Sequence, residues 1–104
     1  MLIYHIVLPE VWAEAKHRTF YEAESLATEG FIHCSYADQL DGVVERYYSG
    51  VPEIVVLSID ANKLTSPLVS EPSTNGEPYP HIYGPINNDP IVAAETRPTG
   101  SVPA

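Results

Sequence analysis

The sequence predicts a single α+β domain built on a mixed or largely antiparallel split sheet with two or three short helices. Strand-like and helix-like segments follow one another without a regular βαβ rhythm. The 104 residues are enough for one hydrophobic core and too few for two. A hydrophobic fraction of 44% is ordinary for a globular protein. The domain is expected to fill residues 1–97, with 98–104 as a flexible C-terminal tail.

Leu2 to Leu8 is an almost unbroken apolar run with β-branched residues, the pattern of a strand buried on both faces. Pro9 suits the first turn of a helix, where its missing N–H costs nothing, and Trp12, Ala13 and Ala15 continue that helix to about Lys16. Residues 17–24 read as loop. Ser25 is expected to cap a short helical turn that Gly30 ends. Phe31 to Ser35 is a second strand. Ser35 and Asp38 resemble a capping box, opening a helix with Leu40, Val43, Val44 and Tyr47 at helical spacing. Gly50 and Pro52 stop it.

Glu53 to Ile59 is the strongest strand signal in the chain, and Asp60 caps a turn through Leu64. Leu68 to Glu71 reads as a short strand. Pro72 to Pro80, rich in Pro, Gly, Ser and Asn, reads as a mobile loop. His81 to Tyr83 and Ile91 to Thr96 are the expected last strands.

Charge and cysteine usage narrow the functional classes. Fourteen acidic side chains against five basic ones give −9, and the cations Lys16, Arg18, Arg46, Lys63 and Arg97 are scattered. No basic stripe can be assembled, so a nucleic-acid partner is disfavoured. The lone Cys34 has no disulfide partner in the chain, which implies a reducing, cytoplasmic setting. No apolar run approaches membrane-spanning length, and the apolar start lacks the basic flank of a signal peptide.

The candidate site follows from strand geometry, in which successive side chains point to opposite faces. Phe31, His33 and Ser35 share one face, and Ile32 and Cys34 the other. His5 goes with Ile3 and Val7; His81 goes with Tyr83. Each of these strands thus carries a histidine, and His5, His33 and His81 are expected to line one cleft. A histidine in a strand is commonly a structural residue with its hydrogen bonds satisfied, and a purely structural domain is one of the alternatives. His17, in a polar stretch, reads as surface.

No bound metal is expected, because His33 and Cys34 are adjacent and a strand aims them in opposite directions. Cys34 reads as a small core residue. Glu71, beside the Pro72–Pro80 loop, is either a solvated acid or a carboxylate placed to stabilise a developing cation. For Glu29, capping or solvent exposure suffices. Gly-rich phosphate loops, GxSxG and HExxH are all missing from the sequence.

The blocks IYH, SLATEGFIHCS with the following Gln39, VVLSID with Leu64, and PHIYGPI occur in the order and spacing of a bacterial family, domain of unknown function 952. The resemblance runs to about Arg97. That family is similar in fold to ADP-ribosyltransferases and RNA 2′-phosphotransferases. The resemblance implies that His5 contacts the ribose of NAD and that His33 and Ser35 shape the nicotinamide side. It leaves Glu71, His81 and Tyr83 as alternatives for the third motif.

The function implied is a small NAD-using transferase or glycohydrolase, with NAD as substrate and a small-molecule ligand as partner. In it Glu71 or His81 would be catalytic, and His5, His33, Ser35 and Tyr83 would bind. A non-catalytic module that binds a nucleotide, metabolite or protein segment in the same cleft is the rival reading.

Overall fold

The computed structural model describes residues 1–73 and 75–99. Its elements run β1 (Leu2–Val7), α1 (Pro9–Ala15), β2 (Phe20–Tyr21), α2 (Glu24–Glu29), β3 (Ile32–His33), α3 (Leu40–Tyr47) and β4 (Glu53–Asp60). A 3-10 turn at Ala61–Lys63 then leads to β5 (Leu68–Pro72), β6 (Pro78–Ile82), β7 (Ile86–Asn87) and β8 (Ile91–Pro98). The α+β expectation holds, and every strand pairing among the described residues is antiparallel.

The strands form two three-stranded sheets, ordered β1-β4-β8 and β3-β6-β5, and a two-stranded pair, β2-β7. The larger sheet has apolar residues on both faces of its first two strands. On one face Ile3, Val7, Val55, Leu57 and Ile59 meet Ile32, Cys34, Ile82, Tyr21 and Ile86. On the other, Ile6, Ile54 and Val56 meet Leu40 and Val44 of α3. This two-sided burial is why Leu2–Val7 and Glu53–Asp60 read as continuous apolar runs. Each fully buried isoleucine contributes about 2 kcal/mol.

The sheets touch through an isolated bridge, with Tyr4 N donating to Ser35 O at 2.9 Å and Ser35 N to Tyr4 O at 2.7 Å. Residues of both segments, His5 to Val7 of β1 and His33 to Ser35, line the cleft.

Several local expectations are corrected. The stretch read as loop over 17–24 contains β2, which pairs with β7. Ser25 lies inside α2 rather than capping it; Ala23 holds that position without a side-chain cap. Gly30 does end α2, with φ 90°, a left-handed conformation that costs other residues energy.

The Ser35–Asp38 capping box does not form. Ser35 is engaged with Tyr4, α3 begins at Leu40, and the side-chain oxygen of Gln39 accepts from Tyr36 N at 3.0 Å. Tyr47 is 73% exposed, so it does not belong to the core face of α3. Asp60 caps as expected, accepting from Asn62 N at 3.0 Å.

The segment expected as a loop from Pro72 to Pro80 is largely a hairpin, because Pro72 pairs with Pro78 and Glu71 with Tyr79. Pro72 is tolerated there since β5 is an edge strand. Strand β8 runs through Pro98, and the remaining tail residues 100–104 lie outside those described, as does Thr74.

Candidate functional site

The β3-β6-β5 sheet sorts its side chains by alternation. Ile32 and Ile82 enter the core, which turns His33 and His81 to the other face. The two histidines are direct cross-strand partners, with ring centroids 5.4 Å apart and planes at 75°. Phe31, just before β3, stacks on His81 at 4.1 Å and 18° and meets His33 edge-on at 4.8 Å. Phe31 shares a face with His33 by the same alternation, so its place beside the histidines was readable from the sequence.

Each of these imidazoles has a carboxylate partner. His33 Nε2–H donates to Glu29 Oε2 at 3.0 Å, with both side chains about half exposed. His81 Nδ1–H donates to Glu71 Oε1 at 2.8 Å, and the Tyr83 hydroxyl donates to the same oxygen at 2.5 Å. The Tyr83 and His81 hydrogen bonds, in that order, hold the Glu71 carboxyl below its ordinary pKa. The bond to Glu71 in turn pushes the Tyr83 phenol up. The three alternatives for the third motif therefore form one connected group. Glu29, for which capping or exposure sufficed in the sequence, is a histidine partner.

His5 behaves differently. It is buried, shares its face with Ile3 and Val7, and has both ring nitrogens engaged. Its Nδ1–H donates to the backbone carbonyl of His33 at 2.6 Å, and its Nε2 accepts from the Tyr21 hydroxyl at 2.8 Å. Desolvation lowers its pKa from 6.5 to about 4, so the ring is neutral near pH 7. Burial also pushes up the Tyr21 phenol and the Cys34 thiol. Tyr21 was missed because a two-residue strand is too short to show any alternation.

The cleft has a volume of about 910 Å³. His5, Ser35 and Cys34 line its floor, all three buried, and His33, His81, Phe31 and Glu29 line one wall. Arg46 and Tyr47 of α3 and Tyr79 of β6 line another part. Glu71 and Tyr83 stand behind His81 rather than in the lining. Cys34 is a buried core residue, and His17 is exposed, both as expected. Among the described residues no group of three or more His, Cys, Asp or Glu side chains is gathered as for a metal, and no helix is long and apolar enough to cross a membrane.

The arrangement supplies two carboxylate-bound imidazoles and an aromatic face around one open space, with the low-pKa Glu71 carboxylate behind one of the imidazoles. Such a set can move protons and stabilise positive charge.

Similar proteins exist in structure. The crystal structure of protein CC0527 from Caulobacter crescentus matches with a TM-score of 0.82 and 28% identity, over 92% of this chain and 85% of that one. The solution NMR structure of CC0527 gives 0.77 at 28% identity, over 90% and 82%. No curated protein matches the sequence. The family described as "Protein of unknown function (DUF952)" matches residues 6–94, and the chain belongs to that family.

Proposed function

We propose that the cleft binds a nucleotide of the NAD type and breaks its bond to nicotinamide, as a small transferase or glycohydrolase of the ADP-ribosyltransferase kind acting in a reducing, cytoplasmic setting. One observation carries the reading: His33 and His81 face each other across β3 and β6, each bonded to a carboxylate, with the Phe31 ring stacked beside them. The cleft is lined from both three-stranded sheets, by His5, Ile6 and Val7 of one and His33, Tyr79 and His81 of the other, which supports it by giving the ligand a place between them. A volume of about 910 Å³ suits a ligand of this size.

The chemistry follows from the groups. Nicotinamide in NAD is a planar cation, which suits an aromatic face flanked by Glu29 and Glu71. As the glycosidic bond breaks, its electron pair passes to the nicotinamide nitrogen and positive charge develops on the ribose. The Glu71 carboxylate, kept ionised by Tyr83 and His81, lies behind His81 and stabilises that charge through the ring it bonds. Water or an acceptor hydroxyl then bonds to the ribose carbon, and its proton passes to the lone-pair nitrogen of His81. His33 and Ser35 shape the space, and Tyr83 positions Glu71. His5 acts from beneath, by fixing the backbone of His33.

Nicotinamide release from NAD, followed in wild type and in Glu71→Gln and His81→Asn, tests this. Release that falls in both variants while calorimetric affinity stays near the wild-type value supports the assignment, since charge stabilisation is needed chiefly in the transition state. Neither binding nor release in the wild type removes it. Binding without release supports the second reading, a non-catalytic small-molecule module. That reading is favoured by His5, whose ring nitrogens are both occupied within the protein.

A further inference from the structure

Arg46 is the one permanently charged cation among the described residues lining the cleft, in a chain with 14 acidic and 5 basic side chains. Ion pairs among the described residues join His33 to Glu29, His81 to Glu71 and Arg97 to Asp41, and Arg46 is in none of them. Its partner is neutral: Nη2 donates to the Tyr79 hydroxyl at 2.8 Å. The guanidinium carbon also lies 5.7 Å from the centre of the Tyr47 ring. The Tyr79 hydroxyl donates in turn to Glu77 Oε1 at 3.4 Å, and Gln39 Nε2 donates to Glu77 Oε2 at 3.0 Å. The phenol is thereby oriented with its oxygen lone pairs left for the arginine.

Gly42, one turn earlier on α3, gives the guanidinium its room. A Cβ at that position would sit 3.3 Å from Arg46 Nη1. Glycine inside a helix is unfavourable relative to alanine, so this position gives up helix stability where the arginine folds back. A guanidinium has five N–H donors, and the Tyr79 bond uses one. Arg46 is exposed, so the charge and donors that the phenol leaves unused face solvent at the cleft and are open to a ligand.

We infer that Arg46 is the anchor for an oxyanion, phosphate or carboxylate, on the small ligand that enters this cleft. The inference rests on the reading of the cleft as a small-molecule site and adds the polarity of the ligand. Tyr79 and His81 are two residues apart on β6 and share a face, so the residue that holds the anchor stands roughly 7 Å along the strand from His81 of the Phe31–His81 stack. The ligand class is thus one with an oxyanion at one end and a planar, preferably cationic ring at the other.

The Nε–Hε resonance of Arg46 in the full chain, titrated with inorganic pyrophosphate or with succinate at physiological salt, tests the assignment. A saturable shift with pyrophosphate is expected for that resonance and for neighbouring backbone amides, the amide shifts being lost in Arg46→Gln and saturating roughly tenfold to a hundredfold more weakly in Arg46→Lys. Saturation by succinate alone assigns a carboxylate to the same anchor. Linear, unsaturated responses to both anions overturn the inference. So does saturable binding, seen on neighbouring backbone amides, that persists in Arg46→Gln. Pyrophosphate saturation in a protein that releases no nicotinamide leaves the anchor standing and removes the glycosidic chemistry. NAD turnover and affinity indifferent to Arg46→Gln remove the anchor and leave the chemistry.

Discussion

The ring of His5 donates from Nδ1 to the backbone carbonyl of His33 at 2.6 Å, so an imidazole ties β1 to β3 just past their last backbone rung. The same ring accepts from Tyr21, which joins this junction to the β2-β7 pair. His5 is therefore a strut, and its removal is chiefly a structural lesion.

His5→Ala leaves a cavity and takes the partner from both the Tyr21 hydroxyl and the His33 carbonyl. The expected loss is about 3 kcal/mol, with Tm falling roughly 10–20 °C. Urea unfolding of the two proteins checks it, and a difference under about 1 kcal/mol contradicts the strut.

Acid should destabilise the protein through this residue. The unfolded chain binds the proton at the ordinary 6.5, whereas folded His5 binds it only near 4. Between those values the unfolded state carries more protons, so stability is full above about 6.5 and falls as the pH drops towards 4. The gap corresponds to about 3 kcal/mol. Unfolding free energies measured from pH 7.5 downward should show this slope in wild type and lose it in His5→Gln.

The Glu71 carboxyl owes its lowered pKa first to the Tyr83 hydrogen bond and next to His81. Tyr83→Phe should accordingly raise the Glu71 pKa, and by more than His81→Asn does. Carboxyl carbon chemical shifts followed through the acid range give both values. An unchanged midpoint in Tyr83→Phe would show that the phenol does not hold the carboxylate.

Cys34 is buried and its thiol pKa is raised by desolvation, so the reactive thiolate is scarce in the folded protein. An aromatic disulfide reagent should react slowly with native protein and quickly in denaturant, releasing one equivalent from the single cysteine. Rapid reaction under native conditions would mean that the cleft floor is open to reagents.

What the sequence reveals here depends on whether a signal is local. The apolar runs of β1 and β4, the left-handed stop at Gly30 and the Asp60 cap are properties of adjacent residues, and each is found where expected. Alternation in PHIYGP and GFIHCS was enough to put His33 and His81 on one face. It could not show that the face of β1 carrying Ile3, His5 and Val7 packs into the core, because both faces of that strand are apolar.

The β2-β7 pair joins Phe20–Tyr21 to Ile86–Asn87, a contact between segments far apart in sequence with no pattern of its own. Tyr21, the partner of His5, was hidden for that reason. Ser35 looked like a helix cap because its competing partner, Tyr4, belongs to a different strand. Arg46 lay within a helix that read as merely amphipathic.

The junction of β1 with β3 also divides how the molecule breathes. β1 and β4 share a full ladder from Leu2 with Asp60 to Val7 with Val55, whereas β1 and β3 share the single rung of Tyr4 and Ser35. Solvent deuterium should therefore enter at that junction first, reaching the amides of Tyr4 and Ser35 well before those in the centre of β4. The wall that bears His33 and His81 is then expected to loosen while the β1-β4 ladder stays shut.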